Sequence, residues 1–593
     1  MDNIKNFKRT NMCADVTNEL VGKEVIVMGW VAKERNLGHI IFMDVRDRSG
    51  IVQIVVNDED CKDYFEKAKT VRSEFVVAAK GRVRERESIN PNISNGDIEI
   101  LCNEFRILDK AQTPPIYIKS DDNVSEEMRL KYRFLDLRKE SIQANLIKRA
   151  RLITLMRSFL DSEGFIETET PYLGKPTPEG ARDYLIPSRV NPNKFYALPQ
   201  SPQLMKQLLM VAGMDRYYQL ARCFRDEDLR ANRQPEFTQM DIEMSFVDED
   251  DVMDINERMV QKVFKELKGV DIEIPLKRIP FDEAMSRYGS DKPDLRFGFE
   301  LTDISEIVKD AEFKVFSGNV KEGHSVRGIN IGEYQSEYSR KKIDALEKFV
   351  KDYGAKGLAW IKVNNGEVNS PIAKFLSEEE LQNILNAFDA KDNALILIVA
   401  DKDEVVFDSL GALRRHIASN LGLLNPKEFK MAWVVDFPMF EYSEEEGRMV
   451  SKHHPFTMPK EEDLELLETA PEKMKSKAYD LVINGEEAAG GSIRINNSEI
   501  QERVFRALKL SDEEIEAKFG FFVDALKYGT PPHGGIAYGI DRLAMQICET
   551  NNIKDVIAFP KTQSATDLLT GAPALVDEKQ LEEIHVSLRK DEK

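Results

Sequence analysis

The 593-residue chain has little of what would tie it to a membrane, a metal knuckle or an oxidising compartment. Its longest apolar runs, such as Ala394 to Ala400, fall far short of the ~18 residues that a membrane-spanning helix requires. Met1-Asp2-Asn3-Ile4-Lys5 opens no apolar core of the signal-peptide kind. Cysteine is scarce: Cys13, Cys61, Cys102, Cys223 and Cys548 are scattered, odd in number, and never at the spacing of a zinc knuckle or a redox pair. No zinc is expected, no membrane association is expected, and a reducing cytoplasm is the natural compartment. There is no internal repeat and no low-complexity region. Net positive charge is missing too. The formal charge is −20, which taken alone speaks against a nucleic-acid partner. A local basic face on an acidic body overrides that veto, so the positions of the lysines and arginines decide.

What is present is length enough for roughly three or four domains at about 150 residues each. Residues 1–108 carry β-rich runs at 24–31, 40–44, 51–56 and 75–79, one helix near 60–71, and a hairpin turn at Asp47-Arg48-Ser49-Gly50. Five or so strands with one helix suit a small barrel such as the OB-fold, with a sandwich as the competitor. Residues 109–139 read as a hinge: Thr113-Pro114-Pro115 breaks structure and a charged helical stretch follows. Residues 140–294 open on a long amphipathic helix from Leu146, ended by Gly164, and then mix strands with helices. Residues 295–420 have their own α/β rhythm, with strands at 359–363 and 394–399, and nothing in them reads as catalytic. They are expected to be an inserted domain. Catalytic texture resumes over 421–561, and 562–593 forms a charged C-terminal extension. The fold class expected is a multidomain α+β protein.

Three stretches carry chemistry. From Tyr217 to Phe246 two strands flank a charged loop. Alternation puts Phe237, Gln239, Asp241, Glu243 and Ser245 on one face of the second strand, with Thr238, Met240, Ile242, Met244 and Phe246 on the other. Arg225 and Glu227 share a face before them. A plain solvated sheet face rarely combines so many functional groups. Second, Gly534-Gly535-Ile536-Ala537-Tyr538-Gly539-Ile540-Asp541-Arg542 runs as a glycine-rich strand into a helix, whose N-terminus and Arg542 favour an anion. Third, in Asn484 to Arg494 small residues admit a ligand to the backbone, Glu487 suits a magnesium ion and Arg494 suits a carboxylate clamp. Residues seven apart on a regular strand face opposite sides, so Glu487 and Arg494 share a face only if a bulge intervenes among the glycines.

Phe224-Arg225-Asp226-Glu227 leading to Phe237-Thr238-Gln239 resembles motif 2 of the class II aminoacyl-tRNA synthetases. Gly535 to Arg542 resembles their motif 3, and Gly164-Phe165-Ile166-Glu167-Thr168-Glu169-Thr170-Pro171 resembles motif 1, the dimer-forming segment. Thr177 to Tyr184 and Gln200 to Lys206 look like substrate segments of the aspartyl branch in the aspartyl/asparaginyl/lysyl subgroup. The 295–420 insert and the preceding Gly289-Ser290-Asp291-Lys292-Pro293-Asp294 resemble the bacterial type. The resemblance covers essentially the whole chain. It implies an OB-fold anticodon-binding domain, an antiparallel-sheet catalytic domain, a homodimer through motif 1, and ligation of L-aspartate to tRNA-Asp at the expense of ATP with Mg2+.

The resemblance also implies roles. Arg225, Glu487 and Arg542 are the catalytic set. Arg225, Asp226, Glu227, Gln234, Phe237, Glu487, Gly539, Ile540, Asp541 and Arg542 bind ATP, and Glu487 and Asp480 hold the metal. Lys206 and Arg494 take the aspartate side chain, Glu179, Ser201, Gln203 and Asp241 suit its ammonium, Arg225 meets its reacting carboxylate, and His453 is a mobile histidine nearby. Neither activation of the carboxylate by ATP nor its transfer to a ribose hydroxyl of the tRNA, the two steps the resemblance implies, needs a protein nucleophile: the chemistry is positioning plus charge stabilisation at phosphorus. In the N-terminal domain Lys80, Arg82, Arg84 and Arg86 alternate on one strand face, with Arg35, Arg46 and Arg48 adding charge. Arg35, Phe42, Gln53, Arg84, Arg86 and Asn90 are the expected anticodon contacts, while Val55 stands where some members carry a second aromatic ring. Leu37 leans toward an enzyme strict for tRNA-Asp. An enzyme that also charges tRNA-Asn would have the same pocket. An asparaginyl enzyme would lack the insert, a free-standing asparagine synthetase relative would lack the barrel, and a non-catalytic RNA-binding paralogue would have eroded motifs.

Overall fold

The computed structural model describes residues 1–119, 123–176, 180–229, 232–444 and 446–589. These form two compact units, Met1–Arg149 with Lys554–Leu575, and Ala150–Ile553 with the tail from Val576 onward.

In the first unit, strands Glu24–Asn36, Ile40–Asp47, Gly50–Asn57, Val76–Glu85 and Ile98–Asp109 close into a barrel. The closure excludes the sandwich alternative. Period-two alternation sends Val25, Val27, Val31, Ile41, Met43, Val45, Ile54, Val56, Val77 and Ala79 into one interior core. Tight bending brings backbones together at two glycines. A Cβ on Gly29 would stand 2.2 Å from Arg46 O, and one on Gly81 would stand 2.2 Å from Leu101 O. After the barrel come short helices Glu126–Lys131 and Arg133–Asp136. Buried Arg133 donates to the carbonyls of Lys554, Ile557 and Ala558, which ties the segment from Lys554 back to this unit.

The second unit is organised by an eight-stranded sheet. Its order is Lys277–Pro280, Met431–Val435, Ala478–Ile483, Glu486–Ile493, His533–Gly539, Glu236–Ser245, Arg216–Phe224 and Ile166–Glu167. Pairing is antiparallel through the centre and parallel only at the two outer pairs. The hairpin expected around residues 217–246 is present, with Phe224 opposite Glu236. Between Ala478–Ile483 and Glu486–Ile493 the register shifts: Leu481 faces Ala489 but Val482 faces Glu487, so Ala488 is an extra residue. The bulge therefore precedes the Gly490-Gly491 pair rather than falling within it.

A separate antiparallel five-stranded sheet runs Leu301–Asp303, Ser325–Asn330, Asn393–Asp401, Ala359–Asn364 and Glu367–Asn369. It has apolar clusters on both faces, one around Trp360 and Leu397, the other around Phe316 and Ile398. Its central strand is covered on both sides, which accounts for the unbroken apolar run from Ala394 to Ala400. The helix Asp403–Asn420 follows it.

Candidate active site

The polar face of the eight-stranded sheet carries a cleft of about 250 Å³. The hairpin supplies Arg225, Glu227, Gln234, Phe237 and Gln239, the bulged strand supplies Glu487 and Ala488, and the strand-to-helix turn supplies Gly539, Asp541 and Arg542. The Arg225 guanidinium lies 5.1 Å from the centre of the Phe237 ring. Its Nε is buried without a hydrogen-bond partner among the described residues, a donor left over for a ligand. Glu227 pairs with Arg233 at 3.0 Å. The helix Ile540–Cys548 starts at the cleft, and Asp541 Oδ2 accepts from the Thr238 amide at 2.9 Å, anchoring that helix to the neighbouring strand. Ile540 is wholly buried and Asp226 pairs its backbone with Arg182, and neither lines the cleft.

Beside the cleft lies a buried charge network. The helix Gln203–Val211 presents Lys206, which is only 1% exposed, so a solvated helix face is ruled out. Lys206 Nζ is 3.0 Å from Asp241 Oδ1 and 3.4 Å from Glu243 Oε2. Arg494 donates from Nε to Glu243 Oε1 at 2.9 Å and from Nη2 to Oε2 at 3.2 Å. Its Nη1 donates to Ser492 Oγ at 2.6 Å and to His454 Nε2 at 2.8 Å. Burial drives the Glu243 carboxyl upward, but Arg494 and Lys206 outweigh it and hold Glu243 below the usual carboxylate range. At Asp241 burial wins over Lys206 and the carboxyl is raised. His454 is held well below the usual imidazole range by burial and then by Arg494, so it is neutral and can accept from that arginine. Gln203 Nε2 and Asp241 Oδ2 are buried without a partner among the described residues. Ser201 Oγ accepts from the Gln203 amide. Glu179 lies outside the described residues.

A third group surrounds a bare glycine. Asp480 stands opposite Gly490 on the adjacent strand. A Cβ on Gly490 would meet Asp480 Oδ1 at 2.8 Å and Glu487 Oε1 at 3.2 Å. The bulge at Ala488 turns Glu487 to the same face as Gly490, and the alternation through Ser492 carries that face on to Arg494. His453 Nε2 lies 3.4 Å from Asp480 Oδ1, and its Nδ1 is buried without a partner among the described residues. Burial, and then Asp480, raise the Glu487 carboxyl. Two carboxylates over a missing side chain fit a magnesium ion whose other ligands are phosphate and water. Among the described residues no group of three or more His, Cys, Asp or Glu is disposed to hold a metal alone.

On the barrel, the Arg35 guanidinium sits 5.6 Å from the Phe42 ring. Gln53 is buried with its amide on Asp44, and Val55 is fully buried. Arg82 and Arg84 are exposed on one strand face, but Arg84 pairs with Glu99 and Lys80 with Glu24. Arg86 and Asn90 follow the end of that strand, and Arg86 donates its amide to Asp97. Arg46 is not part of a basic surface, because it forks onto buried Glu74.

Sequence reasoning assigned no role to Glu243, His454, Ser492 or Gly490. Glu243 had a signal, its alternation with Asp241 on the polar face. His454 was masked by its neighbour His453, and Gly490 needed the register.

A family model described as tRNA synthetases class II (D, K and N) matches residues 125–563, and one described as OB-fold nucleic acid binding domain matches residues 25–108. The chain is 56% identical to the Aspartate--tRNA(Asp/Asn) ligase of Caldanaerobacter subterraneus subsp. tengcongensis, covering 98% of each chain. It is 54% identical to the Aspartate--tRNA ligase of Ruminiclostridium cellulolyticum, covering 100% of each. Its fold is similar to that of asparaginyl-tRNA synthetase from Pyrococcus horikoshii complexed with asparaginyl-adenylate, with a TM-score of 0.58 at 20% identity, covering 94% of this chain and 98% of that one.

Proposed function

This chain belongs to the class II tRNA synthetases of the D, K and N group, and from that premise we propose that it is an aspartate–tRNA ligase. It activates L-aspartate with ATP and passes the aspartyl group to the 3′ end of tRNA-Asp. The observation that carries this reading is the pair of buried cations, Lys206 and Arg494, gathered on Glu243 beside the nucleotide cleft. A side-chain carboxylate needs fixed positive charge, and a neutral amide would gain little from two cations.

In the first step an aspartate carboxylate oxygen attacks the α-phosphorus and pyrophosphate leaves. In the second a ribose hydroxyl of the tRNA attacks the acyl carbon and AMP leaves. Arg225, with its unpartnered Nε, bridges the α-phosphate and the reacting carboxylate. Phe237 stacks on adenine, Glu227 and Gln234 bind the nucleotide, and Arg542 at the helix start meets the terminal phosphates. Lys206 and Arg494 fix the side-chain carboxylate, while Asp241, Gln203 and Ser201 face the ammonium. Asp480 and Glu487 would hold Mg2+, which when bound with ATP neutralises charge on the departing pyrophosphate. His453 reaches Asp480 and closes that side.

The barrel binds the anticodon through Arg35, Phe42 and the basic strand edge. Dimerisation runs through residues 164–171, a reading supported by the exposed apolar side chains of Ile166, Tyr172 and Leu173. No described helix is long and apolar enough to cross a membrane, and the cytoplasm is the proposed compartment.

A second reading, charging of tRNA-Asn as well, is favoured by the Asp/Asn ligase name of the relative from C. subterraneus. Against it stands Leu37, 69% exposed at the tip between the first two barrel strands. The test is ATP-dependent attachment of radiolabelled aspartate to separate transcripts of the two tRNAs. Charging of tRNA-Asp alone supports the strict enzyme, and charging of both supports the relaxed one. Charging of neither by folded, ATP-binding protein overturns the ligase reading.

A further inference from the structure

Glu487 stands on the least constrained stretch of its strand. The turn at Asn484 and Gly485, both at positive φ (53° and 81°), ends just before it, and the bulge at Ala488 follows at once. Only Glu486 and Glu487 lie between, opposite Ile483 and Val482. A bulge interrupts the ladder and bends its strand, so two cross-strand pairs alone hold this stretch in register. The rest of its support comes from outside the hairpin.

One side of the turn is tied to the preceding chain. The Asn484 amide donates to Lys430 O at 3.0 Å, its Oδ1 accepts from the Lys430 amide at 2.9 Å, and its Nδ2 donates to Glu428 O at 2.8 Å. The other side is held by the helix Asp403–Asn420, which follows the central strand of the five-stranded sheet. From it Arg415 Nη1 donates to Gly485 O and to Glu486 Oε1, each at 3.2 Å. The fit is close: a Cβ on Gly485 would meet Asp294 Cβ at 3.0 Å and Arg415 Nη1 at 3.2 Å. Fastening Gly485 O fixes the peptide that enters Glu486. Fastening the Glu486 carboxylate on this side sends Glu487, the next residue along the strand, to the opposite face.

The helix is itself firmly seated. Arg414, only 2% exposed, donates to the carbonyls of Asp294, Gly298 and Phe299 at 3.3, 3.0 and 3.3 Å. Gly411 packs against Gly289 so closely that a Cβ there would stand 2.2 Å from Gly289 O. Neighbouring helical residues point about 100° apart. One arginine therefore anchors the helix and the next reaches out to the hairpin. Arg415 and Glu486 are each 41% exposed, and a pair so open to water adds little stability, so what the contact supplies is placement.

We propose that Arg415 is a positioning residue, through which the segment 295–420 buttresses the hairpin and holds Glu487 beside Asp480 in the arrangement that accepts a divalent cation. The inference rests on the reading of that carboxylate pair as the cation site.

The test is Mn2+ binding to the nucleotide-free, full-length enzyme, followed by electron paramagnetic resonance, with amide hydrogen exchange over residues 480–489 as a second readout. Arg415→Met should weaken Mn2+ binding about tenfold, the usual cost of losing a group that orients a metal ligand. Charge alone predicts the opposite sign, because removing a cation near two carboxylates tightens their hold on a dication. The same variant should speed exchange over 480–489 about tenfold and leave the five-stranded sheet as slow as before. Arg415→Lys keeps one donor within reach of the turn and should restore the affinity to within about threefold. Should Arg415→Met fail to fold, Glu486→Ala cuts the same contact from the other end and should show the same faster exchange. Unchanged or tighter Mn2+ binding in Arg415→Met, weaker binding that Arg415→Lys does not rescue, or unchanged exchange in whichever variant folds overturns the buttress and leaves the cation site standing. Glu487→Gln should abolish Mn2+ binding. Binding that survives it, or no binding to the unaltered chain, overturns the cation site and the inference with it.

Discussion

Glu243 grips Arg494 along one edge of the guanidinium, through Nε and Nη2 at 2.9 and 3.2 Å, with neither side chain more than 2% exposed. The same carboxylate faces Lys206 at 3.4 Å, so it is the shared counter-charge of both cations proposed to receive aspartate. Glu243→Gln keeps the shape and removes the charge. Stability should fall by about 3–5 kcal/mol in urea denaturation, the usual cost of leaving a buried ion uncompensated. The KM for aspartate should rise while that for ATP in pyrophosphate exchange holds. A loss below about 1 kcal/mol with an unaltered aspartate KM would mean that the fork is not closed in solution.

Gly490 makes room for two carboxylates. In Gly490→Ala the new methyl would sit 2.8 Å from Asp480 Oδ1 and 3.2 Å from Glu487 Oε1, both ends of side chains that can swing aside. The fold should survive, with a melting temperature within a few degrees of the unaltered chain. The Mg2+ concentration for half-maximal pyrophosphate exchange should rise at least tenfold, a displaced ligand being worth about 1.4 kcal/mol or more. An unchanged Mg2+ requirement would show that the pair does not hold the ion.

His454 and His533 are buried and held below the usual imidazole range, first by burial at both; Arg494 adds to it at His454, while at His533 Glu243 partly offsets it. In the unfolded chain each takes up a proton near pH 6.5, while the folded form stays neutral further down. The unfolded state thus binds more protons in that window. Stability is complete above about pH 6.5 and declines as pH falls toward the folded-state values, by about 1.4 kcal/mol per pH unit for each group. Urea midpoints at pH 7.5, 6.5 and 5.5 measure the slope. His454→Gln should lessen it by one group's share, and an identical slope in that variant would contradict a neutral His454.

Phe42 sits on the barrel with the Arg35 guanidinium 5.6 Å from its ring. Loss of one base-stacking platform costs about 1–3 kcal/mol. Phe42→Ala should therefore raise the KM for tRNA by about 5- to 150-fold and leave ATP–pyrophosphate exchange with aspartate unaffected. Equal losses in both assays would point to a folding defect rather than a contact with RNA.

Local pattern was enough to read much of this molecule. Strict alternation from Phe237 to Ser245 declared which side chains share the polar face of the sheet, because a strand has a period of two whatever surrounds it. The barrel strands, the turn at Asp47 to Gly50 and the helix bearing Lys206 followed from the same short-range rules. Local clustering of basic residues misled in one place: Arg46 looked like part of a basic surface and is instead locked to Glu74 from a different part of the chain. What sequence left open was whether Glu487 and Arg494 share a face. The answer lies in cross-strand register, where Val482 pairs with Glu487 and Leu481 with Ala489, leaving Ala488 over. No local preference encodes that extra residue, since it arises from hydrogen bonding to a partner strand. The charge network was equally out of reach. Lys206, Glu243, His454 and Arg494 come from four separate segments, and burial, which only the packed tertiary structure supplies, makes their interactions strong enough to matter.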